Sequence, residues 1–242
     1  MKIIDAFWEK KNLNIETKEI IVNNNDSLLD IDKIINSLSD KKHYIVIKIP
    51  IGRPDFIKLI TDKGFYFIES LFKMSLRIST FQFPNFINKF DEMLTYKMIT
   101  NSDEFACLEN EIKKGIFTTD RIALDLNFGK DIAANRYVNW LKYEVKKECE
   151  VFEIIHENTP IGFFAIKKIT EKKYNLLLGG LYKNSMDMGF GFSILSKPIM
   201  ELKKRNIDFA VTHVSSNNLH ILKYYFLFGF SPIDIVYVMT RI

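Results

Sequence analysis

The sequence predicts an α+β fold in which a mixed sheet is flanked by helices. Two observations predict it: amphipathic helices alternate with short apolar strands, and this alternation occurs twice along the chain with the same spacing. Hydrophobic residues make up 47% of the 242 residues and charged residues 26%. This balance is typical of a globular protein and argues against disordered, collagen-like and coiled-coil chains.

The first copy of the alternation, residues 28–78, lies in the N-terminal third of the chain. Apolar residues spaced by three and four predict its opening helix, and a β-branched run after the polar turn 39–42 predicts a buried strand. Pro54 suits the first turn of the next helix, and Gly64 suits its C-terminal end. The predicted elements are a helix over 28–38, a strand over 43–49, a helix over 54–62 and a strand over 66–78.

The second copy, residues 192–242, repeats this order at the C-terminus. Gly229 follows Gly64 by 165 positions, and the elements match at that offset without a gap over roughly fifty residues. We therefore predict two related domains, residues 1–102 and residues 103–242. The elements predicted for the second copy are a helix over 192–204, a strand over 208–214, a helix over 219–228 and a final strand to Ile242.

The segment between the copies is predicted to supply the rest of the second domain. One of its helices carries an apolar side made of Tyr137, Trp140, Leu141 and Val145. Its last strand leads into a loop with two glycines. The predicted elements are a helix over 103–114, an extended segment over 121–124, a helix over 132–147, strands over 150–156 and 161–169 around the four-residue hairpin turn 157–160, and a strand over 174–181.

Composition narrows the classes of partner. The net charge of +4 comes from lysines scattered among acidic residues without a sustained basic stripe, so we expect no nucleic-acid partner. No apolar run approaches the ~20 residues of a membrane-spanning helix, and no signal peptide opens the chain, so we expect no membrane partner and a cytoplasmic location. Cys107 and Cys149 lie in no metal-binding pattern, so we expect no metal and treat both as buried or incidental thiols.

The loop from Leu181 to Phe192 carries the first chemical signal. Gly189 and Gly191 stand between a predicted strand and a predicted helix. Glycines at the start of a helix leave backbone N–H groups open to an anion, and the helix dipole favours negative charge there. The loop is therefore a candidate pyrophosphate site, with a tight turn that needs two glycines for steric reasons as the alternative.

A second segment makes the signal specific. After a predicted strand it holds Asn218, then Tyr225 seven residues later, and then Gly229 and Phe230 at the end of the predicted helix. Together with the two loop glycines, this pattern resembles the GNAT superfamily of N-acetyltransferases.

The resemblance implies a GNAT fold and acetyl-CoA as co-substrate. The loop of that family reads Q/R-x-x-G-x-G/A, and Met186 takes the Gln/Arg position here, which places the expected affinity on the backbone amides of the loop. A backbone N–H near Gly180 and Leu181 is expected to meet the thioester oxygen. The implied acetyl-CoA-binding residues are Gly180, Leu181, Met186, Asp187, Met188, Gly189, Phe190, Gly191, Phe192, Asn218 and Tyr225.

Acyl transfer to an amine needs a proton for the departing thiolate. A tyrosine, with an ordinary pKa of about 10, stays protonated at neutral pH, so we predict that Tyr225 is the general acid. The alternative is that Tyr225 is a core aromatic, although Tyr224 is the better candidate for packing. Asn218 is expected to contact the ligand, to cap its helix, or both. For the base, His213 and ordered water both stay open, and a histidine on an apolar strand is more often packed.

A further resemblance concerns the acceptor. Residues 117–125 and 135–140 are similar to the segment that opens the catalytic domain in the TDP-fucosamine acetyltransferase family, whose members also carry an N-terminal partial copy of the GNAT fold. It implies an acceptor amine on a nucleotide-linked sugar, with Arg121, Arg136 and Lys183 as substrate-binding residues. A peptide N-terminus, a polyamine, or a non-catalytic acyl-CoA-binding module are the alternatives, and a homodimer stays open.

The same offset predicts that the first copy is degenerate. The positions equivalent to Asn218, Tyr225 and Gly189 are Arg53, Ile60 and Asn24. The first copy therefore lacks the residues of the proposed cradle and acid. We expect it to act as a scaffold that extends the sheet and helps to shape the acceptor pocket.

Overall fold

The computed structural model describes residues 1–38, 42–85, 87 and 92–242, so that most of the predicted turn 39–42 lies outside the described residues. Within these ranges the strands form one mixed sheet. The strands are β1 (Lys2–Asp5), β2 (Glu16–Ile21), β3 (His43–Pro50), β4 (Tyr66–Arg77), β5 (Leu94–Met98), β6 (Glu150–His156), β7 (Thr159–Thr170), β8 (Lys173–Leu181), β9 (Phe209–Ser215) and β10 (Ser231–Arg241). The helices are α1 (Phe7–Leu13), α2 (Leu28–Ser37), α3 (Pro54–Asp62), α4 (Ser102–Lys113), α5 (Arg121–Leu124), α6 (Lys130–Val145), α7 (Ser193–Lys204) and α8 (Leu219–Leu227).

The strand order is β1-β2-β3-β10-β4-β9-β8-β7-β6-β5. The β2–β3 and β8–β9 pairs are parallel and the other pairs are antiparallel. Helices cover both faces, because Phe164 packs with α7 and α8 while its neighbour Phe163 packs with α4 and α6. The α+β fold with a mixed sheet flanked by helices is confirmed.

The two copies have matching elements. The helices α3 and α8 begin at Pro54 and Leu219, and the strands β4 and β10 begin at Tyr66 and Ser231, in each case 165 positions apart. Each final strand pairs with the preceding strand of the other copy, which gives the central order β3-β10-β4-β9. The domain boundary predicted at residue 102 stays a prediction, since β10 completes a sheet that both copies share.

The exchange of final strands follows one register in both copies. Leu71 of β4 lies opposite Ser215 of β9, and the equivalent Val236 of β10 lies opposite Pro50 of β3. Leu71 and Val236 also face each other in the β4–β10 pair. The centre of the sheet therefore has an approximate two-fold relation between the copies, with β4 of the first copy next to β9 of the second.

Two local predictions are wrong. Residues 121–124 form the short helix α5 instead of an extended segment, because the Asp120 carboxylate accepts a hydrogen bond of 2.7 Å from the Ala123 N–H and caps the turn. The hairpin turn is two residues long instead of four, because Glu157 and Asn158 take positive φ angles of 46° and 62° that reverse the chain tightly.

The buried side of α6 differs from its predicted side. Alanines and Val138 join Leu141 in the core, whereas Val145 is exposed. The strands β1, β2 and β5 and the helix α1 were not predicted from the sequence, because their few apolar residues give no clear period. Cys149 is buried as expected, but Cys107 is exposed.

No helix in the described ranges is long and apolar enough to cross a membrane. Among the same residues, no group of three or more His, Cys, Asp or Glu side chains is placed to hold a metal ion.

Candidate active site

The two parallel strand pairs differ in the number of residues over which they are paired. In the first copy, β2 and β3 pair over six residues, from Glu16 to Ile21. In the second, β8 and β9 pair only from Lys173 to Asn175. A bulge at Leu177 then shifts β8 relative to β7, and the rest of β8 has no pairing with β9. The sheet therefore opens into a cleft between β8 and β9.

The cleft encloses about 140 Å³ and is bounded from both faces of the sheet. Polar groups from several elements reach its wall. The polar lining residues are Thr119, Asp120, Tyr137, Thr212, His213, Ser215, Asn218 and Tyr225. Alternation along β9 places Thr212 on the face of α7 and α8, and His213 and Ser215 on the face of α5 and α6.

Tyr225 is buried at the narrow end of this cleft. Its hydroxyl lies 3.3 Å from the Thr212 hydroxyl, which donates a hydrogen bond of 2.9 Å to the Leu176 carbonyl where β8 leaves β9. Because Thr212 has one proton to give, Tyr225 is the donor in the pair that they form. Burial raises the pKa of Tyr225 to about 12, so the phenol is protonated at neutral pH.

The neighbouring tyrosine has a different place. Tyr224 is only half-buried and packs over the loop, where its ring lies 3.3 Å from the position of a Cβ on Gly191. Tyr225 is the more buried of the two at 7% exposure, and its ring makes an edge contact with Phe230. The prediction that Tyr224 is the main packing residue is therefore wrong, and Tyr225 combines core packing with a place on the cleft wall.

The predicted cradle loop lies at the start of α7. Residues Lys183–Met188 form a 3-10 helix that ends at Gly189, which has a φ of 81° and open space on its Cβ side. No side chain in the described residues caps α7, and the fully buried Ser193 hydroxyl has no hydrogen-bond partner there. An uncapped helix start with an unpartnered hydroxyl fits an anion acceptor such as a diphosphate.

The side chains of this loop divide into anchors and exposed groups. Phe190 and Phe192 are buried in the core, so only their backbones are available to a ligand. Lys183, Met186, Asp187 and Met188 are exposed. The buried rings of Phe190 and Phe192 therefore anchor the predicted loop to the core.

The strand before the loop holds glycines for steric reasons. A Cβ on Gly179 would lie 2.7 Å from a methyl group of Ile194, and one on Gly180 would lie 3.3 Å from the Phe117 ring. Gly180 and Leu181 pair with β7 on one side and have no β9 pairing on the other. The cleft lining reaches this strand only as far as Gly179, so the expected contact of Gly180 or Leu181 with a thioester oxygen stays a prediction. The close approach of α7 at Gly179 is a feature that sequence reasoning missed.

Asn218 combines two of its predicted features. Its side-chain oxygen accepts a hydrogen bond of 3.3 Å from the Ile221 N–H, so it caps α8, and the residue also lines the cleft. His213 was expected to be packed in the core, and it is not. It is exposed at the cleft, where partial desolvation and the positive charges of Lys73 and Lys48 lower its pKa.

Neither predicted substrate-binding arginine is among the residues that line the cleft. Arg121 donates a hydrogen bond of 3.0 Å to Glu9, and Arg136 donates to both oxygens of the same carboxylate at 2.7–2.9 Å. Glu9 is 2% exposed. Burial by itself raises the pKa of this carboxyl, but the charges and hydrogen bonds of the two arginines hold it below its ordinary value. Sequence reasoning missed this triad because Glu9 lies more than 100 residues from its partners.

In the first copy, an arginine side chain occupies the loop that is equivalent to the predicted diphosphate-binding loop. Arg53, at the position of Asn218, donates hydrogen bonds of 2.6 Å to the Asn24 carbonyl and 3.3 Å to the Asp26 carbonyl. These two residues are 165 positions before Gly189 and Gly191. Ile60, at the position of Tyr225, is fully buried. The first copy therefore has neither an open cleft nor an open loop.

Solved structures share the fold of this chain. A GCN5-related N-acetyltransferase from Sphaerobacter thermophilus matches with a TM-score of 0.67 and 8% identity over 99% of this chain and 75% of that one. A tandem GNAT protein from the clavulanic acid biosynthesis pathway matches with a TM-score of 0.57 and 10% identity over 93% and 74%. The chain has the GNAT fold.

The GNAT fold of this chain also matches a glucosamine N-acetyltransferase region of a fungal multi-domain β-N-acetylglucosaminidase. The TM-score is 0.65 with 11% identity, over 99% of this chain and 31% of the fungal one. No family model and no curated protein matches the sequence.

Proposed function

We propose that the protein is an acetyl-CoA-dependent N-acetyltransferase that works in the cleft between β8 and β9. The observation that carries the proposal is the buried, protonated Tyr225 at the point where the two parallel strands separate. A cleft that passes through the sheet gives two faces to two substrates. The thioester enters beside α7 and α8, and the amine enters beside α5 and α6.

Acetyl-CoA supplies the activated acetyl group. The loop at Gly189 and the uncapped start of α7, with the unpartnered Ser193 hydroxyl, are suited to hold its diphosphate. The free edge of β8 near Gly180 offers backbone N–H groups to the thioester carbonyl. Tyr225 then gives its proton to the departing sulfur and regains one from solvent through the cleft.

Two acceptor classes compete for the other face. A nucleotide-linked amino sugar, which the sequence resemblance implies, needs cations for its diphosphate, but Arg121 and Arg136 are held by Glu9 and Lys183 is left as the exposed candidate. The cleft wall presents Asp120, whose Oδ2 lies 3.6 Å from Arg136 Nη1. Because the arginines are paired with Glu9 and Asp120, and no lysine or arginine is among the described lining residues, the wall offers no free cation to a diphosphate, which supports a small amine as the acceptor.

The direct test is release of free CoA thiol from acetyl-CoA. The acceptors are polyamines, short peptides, free amino sugars and nucleotide-linked amino sugars, each at equal concentration. We expect turnover with small amines and a slower rate with the nucleotide-linked compounds. Faster turnover with the latter would restore the sugar-nucleotide assignment. Binding of acetyl-CoA without thiol release for any acceptor would instead indicate an acyl-CoA-binding module.

Gly189→Val is expected to weaken acetyl-CoA binding roughly tenfold or more, because the added side chain stands where the backbone must approach a phosphate. Isothermal calorimetry measures the change. Gly52→Val is the matched control, since Gly52 has a φ of 84°, open space on its Cβ side and a place far from the loop in sequence. Equal affinities for the two variants would remove the loop from the site.

One acetyl-CoA is expected to bind per chain. The first copy has no splayed strand pair, and Arg53 occupies its loop. Calorimetric titration gives the stoichiometry, and a value of two would show that the first copy also binds.

A further inference from the structure

A carboxyl group of the first copy lies directly behind the cleft wall of the second. Glu69 is on β4, which pairs with β9 so that Leu71 faces Ser215. Residues two apart on a strand share a face, which makes Glu69 and Ser215 diagonal neighbours across the two strands. The Ser215 hydroxyl is close enough to the Glu69 carboxyl to lower its pKa.

Glu69 lies behind this serine as seen from the cleft, because Glu69 is 6% exposed while Ser215 is part of the cleft lining. The Ser215 oxygen accepts a hydrogen bond of 3.2 Å from the Asn217 N–H, which holds the hydroxyl in the turn before α8. Because this hydroxyl is held between the cleft and Glu69, Ser215 is placed to pass a proton from the cleft to the buried carboxyl.

The charged groups around Glu69 come from three further elements. Burial raises the pKa of Glu69, while the nearby Ser215 hydroxyl lowers it. The surrounding groups are Lys48 on β3, Asp120 and Arg121 at the start of α5, and Tyr137 on α6. Asp120 raises the pKa of Glu69, and the two cations lower it. The net result is a pKa above the ordinary value, as a proton acceptor for an ammonium group requires.

We propose that Glu69, a residue of the first copy, accepts through Ser215 the proton that the acceptor amine loses. The inference rests on the proposed function and extends it, because it makes the first copy part of the reaction instead of a scaffold alone. Glu69 is a positioning residue in this role, since Ser215 is the group at the cleft surface.

The proton balance closes. The ammonium group of the acceptor gives one proton to the Ser215 oxygen while the Ser215 proton moves to Glu69, which leaves a neutral amine. The amine nitrogen forms a bond to the thioester carbon, the carbon–sulfur bond breaks, and the sulfur takes the Tyr225 proton. The product amide nitrogen loses its second proton to water, Glu69 returns its proton to solvent through Ser215, and Tyr225 is reprotonated.

Glu69→Gln tests the inference through the pH dependence of kcat. We expect kcat at neutral pH to fall roughly 10²-fold or more with little change in KM for acetyl-CoA, and the acid limb of the kcat profile to disappear. Glu69→Asp keeps a carboxyl group and is expected to retain the acid limb at an intermediate rate. Ser215→Ala is expected to lower kcat in the same direction.

The control for loss of a buried strand glutamate is Glu153→Gln, since Glu153 on β6 is 5% exposed and outside the cleft lining. It is expected to keep the acid limb. A folded Glu69→Gln protein with the wild-type rate and the wild-type acid limb would overturn this inference and leave the proposed function standing. If His213→Asn then lost the acid limb of the kcat profile, His213 would be the proton acceptor. Absence of thiol release from the wild-type protein with every acceptor would reject the proposed function, and this inference with it.

Discussion

Tyr225→Phe is expected to lower kcat roughly 10²- to 10⁴-fold while the affinity for acetyl-CoA changes little. Phenylalanine keeps the ring and its edge contact with Phe230, so the variant removes only the hydroxyl. That hydroxyl is the protonated group in reach of the point where β8 and β9 separate. Steady-state kinetics with saturating acetyl-CoA, under conditions where chemistry limits turnover, measure the effect.

The lost hydrogen bond to Thr212 also has a small structural cost. We expect it to lower the free energy of unfolding by about 0.5–1.5 kcal/mol. Tyr44→Phe is the matched control, because Tyr44 is fully buried and donates a hydrogen bond to Asp125 in the first copy. It is expected to lose comparable stability and to keep its rate. A folded Tyr225→Phe protein with an undiminished kcat would assign the acid role to another group.

Glu9→Ala is expected to lower the free energy of unfolding by about 3–5 kcal/mol, because it leaves two guanidinium groups without their shared carboxylate. Glu9 is 2% exposed, and the side chains of Arg121 and Arg136 are 13% and 20% exposed. The triad joins α1 near the N-terminus to α5 and α6. Urea unfolding measures the change. We expect the loss of stability to be greatest in α5 and α6, which form the amine face of the cleft.

Glu16→Ala is the control for this prediction. Its carboxylate pairs with Lys10, and both side chains are more than half exposed, so Glu16→Ala is expected to change the free energy of unfolding little. The pH dependence gives a second test. Because the pKa of Glu9 is lowered in the folded protein, its stabilisation is present above the ordinary carboxyl pKa and is lost as the pH falls. A fully stable Glu9→Ala protein with weaker acceptor binding would contradict this structural role and indicate that the two arginines bind the substrate.

Local signals account for the parts of the fold that the sequence predicted well. Pro54 begins α3 and Gly64 ends it with a φ of 82°, and Gly229 ends α8 with a φ of 74°. These positions depend on residues within one helical turn, so the pattern alone is sufficient. The wrong strand at 121–124 had the same origin, because the apolar Ile122 and Leu124 outweighed the capping Asp120 in the sequence reading.

The candidate site divides in the same way. The resemblance to the GNAT pattern selected Gly189, Asn218 and Tyr225, which all lie within the second copy or the loop that leads into it. Thr212, the hydrogen-bond partner of Tyr225, was missed because it is one polar residue on a buried strand, and its value depends on where that strand leaves its neighbour. The signal available in the sequence was a threonine that follows Ala210 and Val211 on a predicted strand, directly before His213.

The sequence by itself determined the α+β class and the two copies at an offset of 165, and it predicted that the first copy has no cradle, because each follows from residue types at fixed spacing. Only the tertiary structure decided that β4 and β10 are exchanged between the copies, which places Glu69 behind the second cleft. It also decided that the two arginines meet Glu9 instead of a substrate. Both results join residues more than 100 positions apart, and such pairings depend on the packing of whole strands and helices, for which a local pattern holds no signal.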